Sequence, residues 1–147
     1  MEKIKQLNKK QPKLKTIKRK SWKLFSEFIR RRDCLRTTGL EDYGKCISCQ
    51  KIIPRTLLQA GHFIPGRHNA NLFYERGCHS QCYNCNINLK GNTLAYMDAL
   101  IKLYGQGIIE ELRANDKQMR QYTIPELEDL REYFKAKIKE LKDLIKE

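Results

Sequence analysis

The sequence predicts a small α+β domain in which a short ββα unit is flanked by helices and the C-terminal half is mostly helical. Two Cys-x-x-Cys pairs bracket residues 46–85, and the residues between them alternate weakly, as short strands do. Before and after this segment, apolar residues recur at helical spacing. A chain of 147 residues is most simply one domain. We divide it into a basic arm over residues 1–20 and a folded domain over residues 21–147.

The charge of the chain is strongly positive and uneven. The formal net charge is +13, and residues 1–36 hold 14 Lys and Arg against three acidic residues. This asymmetry predicts a polyanionic partner, with nucleic acid as the first candidate and a solubilising tail as the alternative. The mean hydropathy is −0.70, and no apolar run approaches the about 20 residues of a membrane span. With no recognisable secretory signal, we expect a cytoplasmic protein.

The first 20 residues are rich in lysine and poor in apolar residues, which predicts a disordered arm. Such an arm binds phosphates without reading sequence. Its candidate DNA-binding residues are Lys18, Arg19 and Lys20.

A helix should begin at Ser21 as its N-cap and fade near Asp33. Its apolar stripe consists of Trp22, Phe25, Phe28 and Ile29. Arg30 and Arg31, near its end, are candidates for phosphate contacts, although a solvated helix end is the alternative.

The central segment should form the ββα unit. We predict a short strand or a turn over 51–54, a strand over 57–64 that holds His62, and a second short strand over 72–74 that could pair back onto it. A short helix over 84–90 should end at Gly91.

The remainder should be helical. One helix should begin after Asn92 and end at Gly105, a second should cover 108–113, and Thr123 with Glu126 predicts a capping box for the last. The inward residues of the first are Leu94, Met97, Leu100, Ile101 and Tyr104. The apolar seam of the last is Leu127, Leu130, Phe134, Ile138, Leu141 and Ile145. This seam needs a partner, either the domain's own helices, which we favour slightly, or a second copy in a homodimer.

Four cysteines carry the strongest signal for a metal. The two pairs are Cys46 with Cys49 and Cys82 with Cys85. Four thiolates complete a closed tetrahedral Zn²⁺ site, which supports the fold and performs no catalysis. Cys34 and Cys78 are left over, and the wider gap from Cys78 to Cys82 makes it the poorer ligand.

His62 is the only histidine on the predicted strands. Because an unperturbed histidine titrates near pH ~6.5, it could deprotonate water at neutral pH. A purely structural histidine is the alternative on spacing alone.

Together these features resemble the His-Me finger (HNH-type) nucleases, and more closely the NinG (Rap) family of lambdoid phages. The resemblance covers roughly residues 21–145. Its leading helix is matched from Leu24-Phe25 through Phe28 to Arg32-Asp33. The motifs that carry it are Cys46-Ile47-Ser48-Cys49, Ala60-Gly61-His62, Cys78-His79-Ser80-Gln81-Cys82, Cys85-Asn86 and Gly91-Asn92.

The resemblance implies a structure-selective endonuclease that cuts branched DNA, such as Holliday junctions and D-loops, during phage recombination. His62 would be the general base, and Asn86 would help to bind a catalytic Mg²⁺ or Mn²⁺. Arg67, Arg76 and Lys90 would lie near the DNA backbone.

The sequence departs from the wider nuclease pattern at Gly61, where many members carry an acidic or histidine metal ligand. We expect His79 to compensate, as a catalytic and metal-binding residue, with Glu75 and His68 as alternatives. Without a second ligand, the protein would be a non-catalytic zinc-containing module that binds branched or single-stranded DNA. A third hypothesis is an interaction protein that assembles through its final helix.

Overall fold

The computed structural model describes the backbone of residues 2–146 and the side chains of residues 13–146. The helices and strands in chain order are α1 (Glu2–Thr38), β1 (Tyr43–Lys45), β2 (Ile52–Pro54), β3 (Gln59–His62), β4 (Cys78–Gln81), α2 (Thr93–Tyr104), α3 (Ile108–Asp116) and α4 (Ile124–Lys146). A π-helical turn, Asn84–Asn88, follows β4. The fold is therefore α+β with a mostly helical C-terminal half, as predicted. Within the described residues, no helix combines the length and apolar character needed to cross a membrane.

Helix α1 begins well before the predicted start at Ser21. Ile17 is buried in the main core, so the expected disordered arm is wrong for residues 13–20. The backbone of residues 2–12 also belongs to α1, whereas Met1 and the side chains of residues 2–12 lie outside the described part of the chain.

Ser21 is not an N-cap but a buried residue within α1. Its Oγ lies 2.9 Å from the carbonyl oxygen of Ile17 and 3.0 Å from that of Leu127. The helix also continues past Asp33 to Thr38, because Asp33 is itself buried against the strands.

Helices α1 and α4 pack along each other and form the main core. The ring of Phe134 lies 5.0 Å from that of Phe25 and 5.7 Å from that of Phe28, between centroids. The apolar seam of α4 therefore packs within the chain, which was the favoured of the two alternatives, and its buried residues are not free to contact a second copy. The other buried members of this cluster are Ile17, Ile29, Phe73, Cys78, Leu127 and Ile138.

The start of α4 has the Thr123 cap of the predicted capping box, while the Glu126 carboxylate accepts from the Thr123 hydroxyl and not from its backbone N–H. The backbone N–H of Glu126 donates to Thr123 Oγ1 over 3.3 Å, and the hydroxyl of Thr123 donates to the Glu126 carboxylate over 3.1 Å. The helix starts at Ile124, directly after this cap.

The strands form two antiparallel pairs, β1 with β2 and β3 with β4. The predicted strand over 72–74 is wrong, because those residues form a turn in which Tyr74 N–H donates to Asn71 O over 3.2 Å. The partner of β3 is instead β4, with His62 opposite Cys78. All four residues of β4 are buried, so this strand has no alternating pattern to reveal it.

The second core lies between α2, α3 and the first cysteine pair. Leu94 was predicted to face inward but is 77% exposed, while Tyr96 is fully buried. Asn92 precedes the helix with a left-handed φ of 43° and makes no side-chain cap. The buried residues of this cluster are Ile47, Tyr96, Leu100, Ile108, Ile109 and Leu112.

A buried ion pair connects α1 to the outer edge of β4. Asp33 is 1% exposed, and its carboxylate accepts hydrogen bonds from Arg32 at 2.9 Å and from the backbone N–H of Ser80 at 2.7 Å. Arg32 also donates to the carbonyl of Cys78. Burial opposes the charged form of Asp33, but the charge and hydrogen bond of Arg32, together with the charge of Arg36, favour it, and the pKa of the carboxyl is lowered.

We expect Asp33→Asn to lower the free energy of unfolding by about 3–5 kcal/mol, because Arg32 would keep a buried charge without its partner. Urea unfolding followed by circular dichroism would measure this. Asp98→Asn, which changes an exposed carboxylate on α2, is the matched control and should be nearly neutral. Equal stabilities of the two variants would show that the ion pair does not hold β4.

A candidate metal centre and the cleft beside it

The four predicted metal-ligating cysteines come together. The Sγ atoms of Cys46, Cys49, Cys82 and Cys85 all lie within 4.8 Å of one another, and those of Cys49 and Cys82 are 3.8 Å apart. In a tetrahedral zinc site with Zn–S bonds of about 2.3 Å, neighbouring sulfurs lie about 3.8 Å apart. The four cysteines are therefore positioned to bind a metal ion, and the donor set is that of structural Zn²⁺.

Hydrogen-bond donors around the cluster fit thiolate ligands. The backbone N–H of Cys85 points to Cys82 Sγ at 3.3 Å, and the side-chain amide of Asn92 donates to Cys85 Sγ at 3.5 Å. Such donors stabilise metal-bound sulfur and orient it.

The two remaining cysteines lie apart from this cluster. Cys34 is buried at the end of α1 and Cys78 lies in the main core. Burial raises the pKa of Cys34 to about 11 and raises that of Cys78 as well, so both are inert thiols.

A cleft of about 590 Å³ lies beside the metal centre, and we call it the His62 cleft. It brings together four of the predicted site residues, His62, Asn86, Arg67 and Lys90. Its complete lining is Trp22, Ala60, Gly61, His62, Phe63, Pro65, Gly66, Arg67, Leu72, Asn86, Ile87, Lys90, Gly91 and Thr93.

His62 is held in one orientation at the end of β3. Its Nε2 lies 3.0 Å from the carbonyl oxygen of Leu72, and its ring stacks on Trp22 at 5.1 Å between centroids. Because a carbonyl only accepts, Nε2 carries the proton and Nδ1 keeps a free lone pair in the neutral ring. Burial lowers the pKa of His62, although the backbone carbonyls of Leu72 and Asn71 partly oppose this, so the ring is neutral at neutral pH.

His79 does not reach the cleft, so its assignment as a metal ligand does not fit the structure. It is fully buried, with Nδ1 3.2 Å from the hydroxyl of Tyr96 and Nε2 2.7 Å from that of Tyr104. The Tyr96 hydroxyl donates to Gly61 O and therefore accepts from Nδ1, which leaves Nε2 to accept from Tyr104. Both ring nitrogens are thus occupied, and burial lowers the pKa of His79 to about 3.

Glu75 and Arg76 also lie away from the cleft. Glu75 accepts a hydrogen bond from Tyr133, and Arg76 forms an ion pair with Glu111 at 2.8 Å while stacking on Tyr104. Glu75 therefore does not fit the role of a metal ligand at the cleft, and Arg76 does not fit that of a DNA contact there, because both side chains contact the helices instead.

A second groove, the basic groove, adjoins the His62 cleft. It shares Trp22, Arg67 and Leu72 with the cleft. Its complete lining is Lys15, Lys18, Arg19, Trp22, Arg67, His68, Leu72 and Phe73. The predicted DNA-binding residues Lys18 and Arg19 therefore lie next to the cleft, as does His68.

The other predicted DNA-binding residues divide by their contacts. Lys20 is exposed on α1. Arg31 is paired with Glu27 at 3.0 Å and Glu41 at 2.8 Å, and Arg30 is half-buried with its Nε donating to Ser26 O. The two arginines are therefore part of the helix surface rather than free phosphate contacts.

Sequence reasoning missed two residues that shape the cleft. Trp22 was assigned to the core stripe, yet its ring also stacks on His62. Gln81 was only one of several motif residues, yet its side-chain oxygen lies directly against Gly61. The glycine itself was the available signal, since its missing side chain leaves space for a neighbour.

We expect Cys82→Ser to release the bound Zn²⁺ and to unfold much of the domain, because structural zinc supplies folding free energy in small domains. Metal content by mass spectrometry and thermal unfolding would be measured together. Cys34→Ala should retain one Zn²⁺ per chain, since Cys34 lies outside the cluster. Full zinc content in Cys82→Ser would contradict the four-cysteine assignment.

Comparisons with known proteins agree on one family. The family model described as "Bacteriophage Lambda NinG protein" matches residues 1–144, including the first 20 residues that the resemblance had left outside. Protein ninG of Escherichia phage lambda is 32% identical over 99 residues, which cover 67% of this chain and 48% of the lambda protein. Protein ninG of Salmonella phage P22 is 31% identical, with the same coverage of both chains.

The chain spans about half the length of the curated relatives it matches. No solved structure matches it. With a family model that covers nearly all of its residues, the chain belongs to the bacteriophage NinG family.

Proposed function

We propose that this protein is a metal-dependent endonuclease of the His-Me finger type that hydrolyses phosphodiester bonds in branched DNA during phage recombination. The observation that carries the proposal is the state of His62. A neutral imidazole with its Nε2 tied to the Leu72 carbonyl lines an open cleft beside basic side chains. This is the arrangement that general-base activation of water requires.

The chemistry of His62 follows from its contacts. The Leu72 carbonyl and the Trp22 ring fix the imidazole, so Nδ1 can accept a proton from a water in the cleft. The Leu72 carbonyl then stabilises the imidazolium that forms, because it already accepts from the opposite nitrogen. The base therefore needs no carboxylate partner.

The positive groups around the cleft fit a phosphodiester substrate. Arg67 and Lys90 line the cleft and are exposed, and Lys18 and Arg19 extend the positive surface along α1. Such side chains position a nucleic-acid backbone without reading its sequence. A DNA strand in the basic groove would thus lead into the His62 cleft.

A divalent cation completes the proposed site. Mg²⁺ or Mn²⁺, when bound, supplies positive charge to the scissile phosphate and to the leaving oxygen. Asn86 would hold it, since this residue lines the cleft on the π-helical turn after the last cysteine. The structural zinc centre fixes that turn, because Cys85 directly precedes Asn86.

The order of elements supports the His-Me finger proposal. Strand β3 carries the histidine, β4 pairs with it, and the helical turn after β4 carries Asn86. The proposal of branched DNA as the substrate rests on the resemblance to phage recombination nucleases. Such a protein would act in the cytoplasm of the host cell.

The alternative function is a zinc-containing module that binds branched or single-stranded DNA without cutting it. Gly61 favours it, because this position offers no side-chain ligand to a cation. The basic groove and the zinc centre would serve both functions equally, so only the chemistry distinguishes them.

We expect the wild-type protein to cut a labelled four-way junction in Mg²⁺ or Mn²⁺ and to be inactive in EDTA. His62→Ala should reduce the cleavage rate by about 10²–10⁴-fold while junction binding remains, because only the general base is lost. Gel analysis of the products and a mobility-shift assay would measure the two properties. A linear duplex of the same sequence tests selectivity for the branch.

Gln118→Ala is the control, since Gln118 is exposed and lines neither the His62 cleft nor the basic groove, and this variant should cut normally. Because the pKa of His62 is lowered, wild-type cleavage should not decline until the pH falls below about 6.5, the ordinary value for histidine. Tight binding with no cleavage by the wild type would reject the nuclease and favour the binding module.

We expect Lys18→Ala/Arg19→Ala to weaken DNA binding and to reduce the slope of log affinity against log salt by about 2, since each phosphate contact contributes about 0.9. Fluorescence anisotropy at several salt concentrations would measure the slope. Lys139→Ala/Lys142→Ala, which removes two basic residues from α4, is the control. Identical slopes for the two double variants would show that the basic groove does not contact DNA.

A further inference from the structure

Two side-chain amides meet at the position where Gly61 has no side chain. A Cβ built on Gly61 would lie 1.9 Å from Gln81 Oε1 and 3.0 Å from Asn86 Oδ1. The two oxygens are therefore no farther apart than the sum of these distances, 4.9 Å. They occupy the space that a side chain at position 61 would take.

The orientation of the Gln81 amide is determined by its nitrogen. Nε2 donates to the carbonyl of Gly91 at 2.8 Å and to Ser48 Oγ at 3.0 Å. A backbone carbonyl can only accept, so the nitrogen end of the amide must face Gly91 and the oxygen end must face Gly61.

Asn86 presents its amide oxygen to the same position. Its Nδ2 donates to Gln59 Oε1 at 2.8 Å, which leaves Oδ1 near Gly61. Gly61 and Asn86 both line the His62 cleft, and Gln81 is fully buried beneath them.

Gln81 Oε1 has no hydrogen-bond partner within the described part of the chain, although it is buried. A buried acceptor without a partner is unfavourable, and native structures rarely retain one without a ligand, ion or water to satisfy it. Amide oxygens are ligands for hard cations such as Mg²⁺ and Mn²⁺.

We infer that Gln81 Oε1 and Asn86 Oδ1 together hold the divalent cation of the His62 cleft, in place of an acidic side chain at position 61. The inference deepens the proposed function by giving its cation a second ligand. Both ligands are neutral, so the cation would bind weakly until a phosphate adds negative charge, as Mg²⁺ sites on nucleotide and nucleic-acid enzymes commonly do.

The test reads metal binding rather than cleavage, on the full chain with its zinc in place. Mn²⁺ is titrated into ¹⁵N-labelled protein, and the side-chain NH₂ signals of Gln81 and Asn86 are followed, because paramagnetic broadening by Mn²⁺ reports even the small bound fraction that is expected without phosphate. Both should broaden at the lowest Mn²⁺ concentrations, while the exposed amide of Gln118 should not. Mn²⁺ that broadens neither signal would overturn the inference and leave a buried water as the partner of Gln81.

Gln81→Met is the decisive variant, because methionine fills the same space with a thioether that does not ligate hard cations. Broadening of the Asn86 signal should then need about tenfold more Mn²⁺. Ser48→Ala removes one partner of Gln81 Nε2 but keeps Oε1, and it should behave as the wild type. An unchanged Mn²⁺ titration in Gln81→Met would show that Gln81 is not a ligand.

A second variant keeps the inference testable if Gln81→Met does not fold. Gly61→Asp/Gln81→Ala exchanges the amide for a carboxylate in the same space, and it should broaden the Asn86 signal at lower Mn²⁺ than the wild type. Failure of this variant to bind Mn²⁺ would overturn the inference.

The inference and the proposed function can fail separately. Junction cleavage without Mn²⁺ binding at Gln81 would reject this ligand but not the nuclease. Mn²⁺ binding at Gln81 without junction cleavage would reject the nuclease but not this ligand.

Discussion

Strand β4 is the element on which the rest of the structure depends, because its backbone is bonded on both edges. One edge pairs with β3 and so fixes the strand of His62. On the other edge Ser80 N–H donates to the buried carboxylate of Asp33, and Ser80 O accepts from Ile47 N–H in the first cysteine pair. The long helix, the metal centre and the histidine strand are thereby held to one four-residue segment.

This arrangement explains how a small domain can hold the His62 ring in one orientation. The loop between β3 and β4 returns past His62, and its Leu72 carbonyl accepts from the imidazole. Trp22 reaches the same ring from α1, whose position relative to β4 is set by Asp33. The orientation of the histidine therefore depends on contacts from two separate parts of the chain, the loop between β3 and β4 and helix α1.

The sequence alone predicted the features that depend on local residue spacing, but it did not predict those that depend on tertiary contacts. The cysteine pairs, the cap at Thr123 and the seam of α4 follow from spacing, and the structure agrees. Strand β4 has no alternation because both of its faces are buried. His79 forms hydrogen bonds with Tyr96 and Tyr104, which follow it by 17 and 25 residues in the chain. The sequence around His79 does not indicate either contact.

The contact between Gly61 and the Gln81 side chain gives a physical reason for the glycine at position 61, where many His-Me finger nucleases carry a metal ligand. Any side chain at position 61 would collide with the Gln81 amide, which is 1.9 Å from where its Cβ would lie. Under the proposed function, a carboxylate in this space would bind a cation more tightly, but it would also repel the phosphate that approaches the same cation. Two neutral amides would instead leave the full positive charge of such a cation available to a phosphate. Under the proposed function, the site would therefore assemble with its substrate, and the unbound protein would hold little metal.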